Sequence, residues 1–152
     1  MTVFNNFGAW VVRHLRKNRE AHTASATQQF DPSPIWVDRP LSPEERRLLE
    51  WLIEHGTPEA RDLRSQVEQA RVVSHCRCGC PTVDLGITGM ERTSGGSQIL
   101  ADFIGQTPEG FRVGVLLHAH EGRLSELEVY NLSEKEGAFS LPFIETLEPW
   151  PK

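Results

Sequence analysis

From Leu41 onward the apolar positions follow two successive periods, helical first and strand-like afterwards. Leu48, Leu49, Leu52 and Ile53 recur at helical spacing behind Ser42-Pro43-Glu44-Glu45. That tetrapeptide is a capping box: Ser42 caps, Pro43 occupies the first turn and Glu45 reaches back. Gly56 stands where a left-handed cap would end the helix. Thr57-Pro58-Glu59 restarts a second helix, whose apolar face is Ala60, Leu63, Val67 and Ala70, so a helical hairpin is predicted. Upstream, Phe4, Phe7, Trp10, Val11, His14 and Leu15 share a face beside Arg13, Arg16, Lys17 and Arg19. They predict a basic amphipathic helix over 1–19. Residues 20–38, with Thr23, Ser25, Thr27, Gln28 and then Asp31-Pro32-Ser33-Pro34, have the composition of a linker. A single domain is expected over 39–152.

The period changes to two beyond Arg71. Val72–Arg77, Thr82–Thr88, Gln98–Gly105, Phe111–His120 and Leu124–Leu132 read as strands. Turn signals separate them: Ser94-Gly95-Gly96, Thr107-Pro108-Glu109-Gly110 and Glu121-Gly122-Arg123. Short connections favour neighbours in sequence, which predicts an antiparallel meander of about five strands. With the helical hairpin packed on one face, the expected fold is α+β. Residues 133–152 keep neither period and are expected to lie across the domain edge.

Composition narrows the function classes. A chain of 152 residues, 38% hydrophobic, suits one domain with an ordinary core. Residues 1–40 carry five Lys/Arg against three Asp/Glu, a balance of +2. Residues 41–152 carry eleven against eighteen, a balance of −7, giving the total of −5. The acidic part disfavours nucleic acid and suits a basic protein partner. No apolar stretch approaches the ~20 residues of a membrane span. The N-terminal charges follow the apolar segment, unlike a secretory signal. Three cysteines, an odd number, do not make a disulfide framework, and a cytoplasmic location is expected. No phosphate loop, dinucleotide fingerprint, nucleophile elbow or His-Glu-x-x-His helix is present.

The densest chemistry is His75-Cys76-Arg77-Cys78-Gly79-Cys80-Pro81, which holds every cysteine of the chain. The two-residue period puts Val72, Ser74 and Cys76 inward, Ser74 facing Leu85 and Cys76 facing Val83. This register leaves Cys78-Gly79-Cys80-Pro81 as a four-residue loop and makes Cys76 a small buried residue. Zinc takes four ligands, usually as two pairs. Here Cys76, Cys78 and Cys80 would need one of His75, His118 or His120 to complete a site. A nucleophilic thiol needs a base and a positive environment, and adjacent strand residues such as His75 and Arg77 diverge from the thiol between them. The favoured expectation is a turn with incidental thiols and no cofactor, with a zinc- or thiol-dependent protein as the alternative. His118 and His120 share a strand face, and matching Leu117 to Leu127 sets His118 across from Glu126. Such a pair serves as a general base, a metal site or an exposed polar pair. With no nucleophile or oxyanion donor assignable beside it, no catalytic residue is expected.

Leu41-Ser42-Pro43-Glu44-Glu45, Arg71-Val72-Val73, Cys76-Arg77-Cys78-Gly79-Cys80-Pro81-Thr82-Val83-Asp84-Leu85 and Gly122-Arg123-Leu124-Ser125-Glu126-Leu127-Glu128 together resemble a group of small bacterial proteins. Those proteins run a helical N-terminal part into a Cys-x-Cys-Gly-Cys strand and a late Leu-Ser-x-Leu-Glu strand. The resemblance spans roughly 41–150. It implies a true domain and a bacterial origin, and the group has no assigned activity to carry over. A small acidic domain without an assembled active site is expected to be a non-enzymatic binding protein, such as an immunity protein or antitoxin masking a basic partner.

Overall fold

A computed structural model describes residues 33–91 and 97–152. The expected basic helix over 1–19 and most of the expected linker lie outside the described residues. The compact unit containing the described residues runs from Ser33 to Lys152.

The first helix, α1 (Pro43–His55), starts where its capping box predicts. The Ser42 hydroxyl accepts from the Glu45 N–H at 3.1 Å, and the Glu45 carboxylate accepts from the Ser42 N–H at 2.8 Å. Arg39 then grips the same carboxylate with two 2.8 Å bonds. Leu48, Leu49, Leu52 and Ile53 are fully buried on one face. Gly56 does not end the helix in a left-handed cap, because its φ is −77°. Glycine is required for another reason: a Cβ there would lie 2.4 Å from the Leu100 carbonyl oxygen and 2.7 Å from that of Leu52.

The second half of the expected hairpin is barely helical. α2 (Pro58–Asp62) has five residues and is followed by a 3-10 segment at Arg64–Gln69. So short a helix gains little from its own hydrogen bonds. The Gln66 side chain instead ties this stretch to the sheet, donating to the Gly122 carbonyl and accepting from the Leu124 N–H. Ala60, Val67 and Ala70 are buried as the pattern requires, but Ala70 already begins a strand.

The sheet overturns the expected α+β hairpin-on-meander fold. The described residues form mostly sheet, in seven antiparallel strands: β1 (Ile35–Pro40), β2 (Ala70–His75), β3 (Val83–Ile87), β4 (Gln98–Gln106), β5 (Arg112–His120), β6 (Arg123–Asn131) and β7 (Glu148–Pro149). Their order is β1-β2-β3-β6-β5-β4-β7. The five expected strands are all present. They form two antiparallel runs joined where β3 pairs with β6, Val83 opposite Leu127 and Asp84 opposite Glu126. β1 begins inside the segment assigned to the linker, where Ile35 and Val37 alternate with exposed neighbours. Its one proline, Pro40, suits an edge strand, which needs no donor on its outer side. β7 caps the opposite edge against β4.

One sheet face packs under α1. Val72, Leu85, Val113, Val115, Leu117, Leu127 and Val129 meet Leu48, Leu49 and Leu52 in a single apolar core. Trp51 stacks on His55 and meets the Phe103 ring edge-on. The other face carries a band of polar side chains from β3, β5 and β6. Among the described residues no helix is long and apolar enough to cross a membrane.

Candidate functional site: a three-thiol turn beside a His-Glu-Glu cluster

The turn between β2 and β3 is shaped by one extra residue. Val72 pairs with Leu85, but the next pairs are Ser74 with Asp84 and His75 with Val83. The bulge falls at Val73, and it moves every later residue of β2 one place along the partner strand. Ser74 therefore faces Asp84, and its hydroxyl donates to that carboxylate. Cys76 is carried out of the strand altogether. The expected Cys76–Val83 pairing and the buried Cys76 are both corrected: Cys76 is only half-buried, and the loop runs from Cys76 to Thr82.

Within that loop the three thiols converge. The Sγ atoms of Cys76 and Cys78 are 2.8 Å apart, those of Cys78 and Cys80 are 2.9 Å apart, and all three lie within 4.8 Å of one another. All are free thiols. The Cys78 and Cys80 N–H groups point at the preceding sulfurs, at 3.4 Å in each case. Gly79 turns the chain between them at φ +87°, a left-handed conformation that favours glycine. Arg77 anchors the turn by donating to the Ser33 carbonyl at 2.9 Å. The Cys76 thiol is drawn below its ordinary range, first by its contact with the Cys78 thiol and then by the Cys78 N–H. Cys78 is pushed up to about 12, first by burial and then by hydrogen bonding to Cys76 and Cys80. Of these two thiols, Cys76 is therefore the easier to deprotonate.

None of the three histidines considered as a fourth ligand joins the sulfurs. His75 directs Nδ1 to the Cys76 carbonyl at 3.1 Å. His120 has Nε2 3.9 Å from a Glu121 carboxylate oxygen. His118 belongs to a second group, formed with Glu126 and Glu128, whose candidate ligand atoms also lie within 4.8 Å of one another.

The expected pairing of Leu117 with Leu127 and His118 with Glu126 is present. The imidazole nevertheless reaches diagonally, placing Nε2 2.8 Å from Glu128. Its other nitrogen, Nδ1, is 2.9 Å from the Ser97 hydroxyl. Because a carboxylate only accepts, Nε2 carries a proton, and in the neutral imidazole Nδ1 accepts from Ser97. His118 is 7% exposed. Glu126 is pushed above the ordinary carboxylate range, mainly by burial and further by the Glu128 and Asp84 charges, against the opposing pull of His118. Ser97 is the residue that sequence reasoning missed. It lies 21 positions from His118, and nothing in the neighbouring sequence signals the contact.

The three cysteines share a cleft of about 410 Å³ with Glu126, Glu128 and Tyr130, while His118 does not line it. Soft sulfur donors therefore occupy one end and hard oxygen donors the wall beside it. No protein-family model, curated protein or solved structure matches the chain.

Proposed function

We propose that the protein binds a zinc ion through Cys76, Cys78 and Cys80, with the fourth coordination position turned towards the cleft. The observation that carries this is the convergence of three free thiols from one five-residue segment. Zinc–sulfur bonds of about 2.3 Å place sulfurs about 3.8 Å apart in a tetrahedron, so the turn needs to open by only about 1 Å. Metal binding replaces the protons of the three thiols. Three protein ligands with a fourth place facing a cleft is the arrangement of a zinc that meets an exogenous ligand. Cobalt(II) tests the site, because thiolate coordination gives an intense near-ultraviolet charge-transfer band. One cobalt per chain should produce that band, and each single Cys→Ser change should reduce it by about a third or abolish binding. A cobalt spectrum without the band would remove the sulfur ligands from the proposal.

A second reading is a protein-binding role, that of an immunity protein or antitoxin for a basic partner. It is favoured by the acidic band of Asp84, Glu126 and Glu128 on the sheet face away from the helix, which complements positive charge. Co-purification from the native host at low salt would separate the two, since this role requires a basic protein to be retained.

A further inference from the structure

We infer that His118, Glu126 and Glu128 form a second cation site, distinct from the thiols and selective for a harder divalent ion such as manganese. Acidic side chains often gather on a surface without a cation, but this group includes a nitrogen donor that is itself buried. One imidazole nitrogen and two carboxylates reach within 4.8 Å of one another from two adjacent strands. Paired β5 and β6 backbones hold these residues, with His118 opposite Glu126, so the donor set is placed by the sheet and not by a loop. A ligating histidine usually has its second nitrogen fixed by an outer partner. Ser97 fills that place from outside the trio, 2.9 Å from Nδ1.

The chemistry balances simply. On binding, the single proton of the neutral imidazole leaves Nε2, where it is directed at Glu128, and is returned at Nδ1 by way of solvent, with no net release. The imidazole then ligates through Nε2 and carries its proton on Nδ1. The Ser97 hydroxyl, which can donate or accept, turns to accept it. A Ser97–His118–Glu128 chain also has the polarity of a nucleophile, base and orienting acid. An oxyanion formed at Ser97 would, however, share its cleft with three carboxylates, Asp84, Glu91 and Glu126, against the one guanidinium of Arg123, and the net charge repels it. The same charges attract a cation, and nitrogen with carboxylate oxygens suits manganese or iron(II) better than a thiophilic ion.

Manganese(II) paramagnetic resonance on the full chain tests this. The free-ion signal should fall as one manganese binds per chain, equally in the wild type and in the C76S/C78S/C80S variant. H118Q and E128Q should each weaken binding by well over tenfold, and S97A by about tenfold, as loss of an outer partner does. If a substituted chain fails to fold, the wild-type titration and S97A still decide. An undiminished free-ion signal with wild-type protein would overturn the inference. So would binding that survives H118Q and E128Q, or binding lost in the triple serine variant, which would assign the ion to the thiols.

Discussion

Cys76 illustrates how one residue redirects chemistry. An unbroken two-residue period puts it in the core, and the bulge at Val73 puts its sulfur beside Cys78 and Cys80 instead. Nothing in Val72-Val73-Ser74 marks a bulge, because all three residues suit a strand. The cysteine cluster was therefore legible as a feature, while its convergence was not. His118 and Glu126 were legible as a pair because the apolar positions of β5 and β6 fix their register. The diagonal bond to Glu128 and the contact from Ser97 depend on side-chain direction and long-range packing. Another residue-scale consequence concerns Glu45. Burial, the largest single influence, pushes its carboxyl up, but the Arg39 bonds and the Ser42 N–H outweigh it and hold the group below the ordinary range. A depressed carboxyl contributes stability above its unfolded value of about 4.3, and that contribution is lost as pH falls through the folded value. Arg39→Ala should therefore lower Tm at pH 7. The gap from wild type should narrow as the solution is acidified below about pH 4. Thermal melts across that range check it, and a gap that widens in acid would refute the assignment.

At the scale of elements, α1 was readable because local signals agree: the capping box, Pro43 and the leucine stripe all point to the same boundaries. The predicted second helix failed where tertiary ties compete with a weak local preference, as Gln66 shows by bonding to the β5–β6 turn. The five expected strands lie within a residue or two of their places. Their order was not readable, since the β3–β6 pairing joins segments about forty residues apart and leaves no local signature. Gly56 belongs here too, as the point where α1 touches β4. The Thr57 N–H donates to the Leu100 carbonyl at 2.8 Å, and the same oxygen excludes a Cβ on Gly56. Gly56→Ala forces backbone apart and should cost about 1–3 kcal/mol, typical of overpacking. Chemical denaturation measures this, and a neutral substitution would show that α1 can slide along the sheet.

For the whole molecule, one apolar face and one polar face divide the labour. The core under α1 is continuous from Leu41 to Val129, so the fold closes without help from the thiols. The polar face is then available to carry donors, with sulfur at the turn and carboxylate oxygen beside it lining one cleft, and the His118 nitrogen on the neighbouring strand. Because none of the three cysteines belongs to the apolar core, losing them should impair binding far more than folding. The most direct measurement is elemental analysis of the full chain purified under reducing conditions, with free thiols counted on the same sample. One zinc per chain, retained through dialysis and absent from the C76S/C78S/C80S variant, is the predicted result. Three reactive thiols per chain, with no zinc retained even after loading with excess zinc, would contradict it.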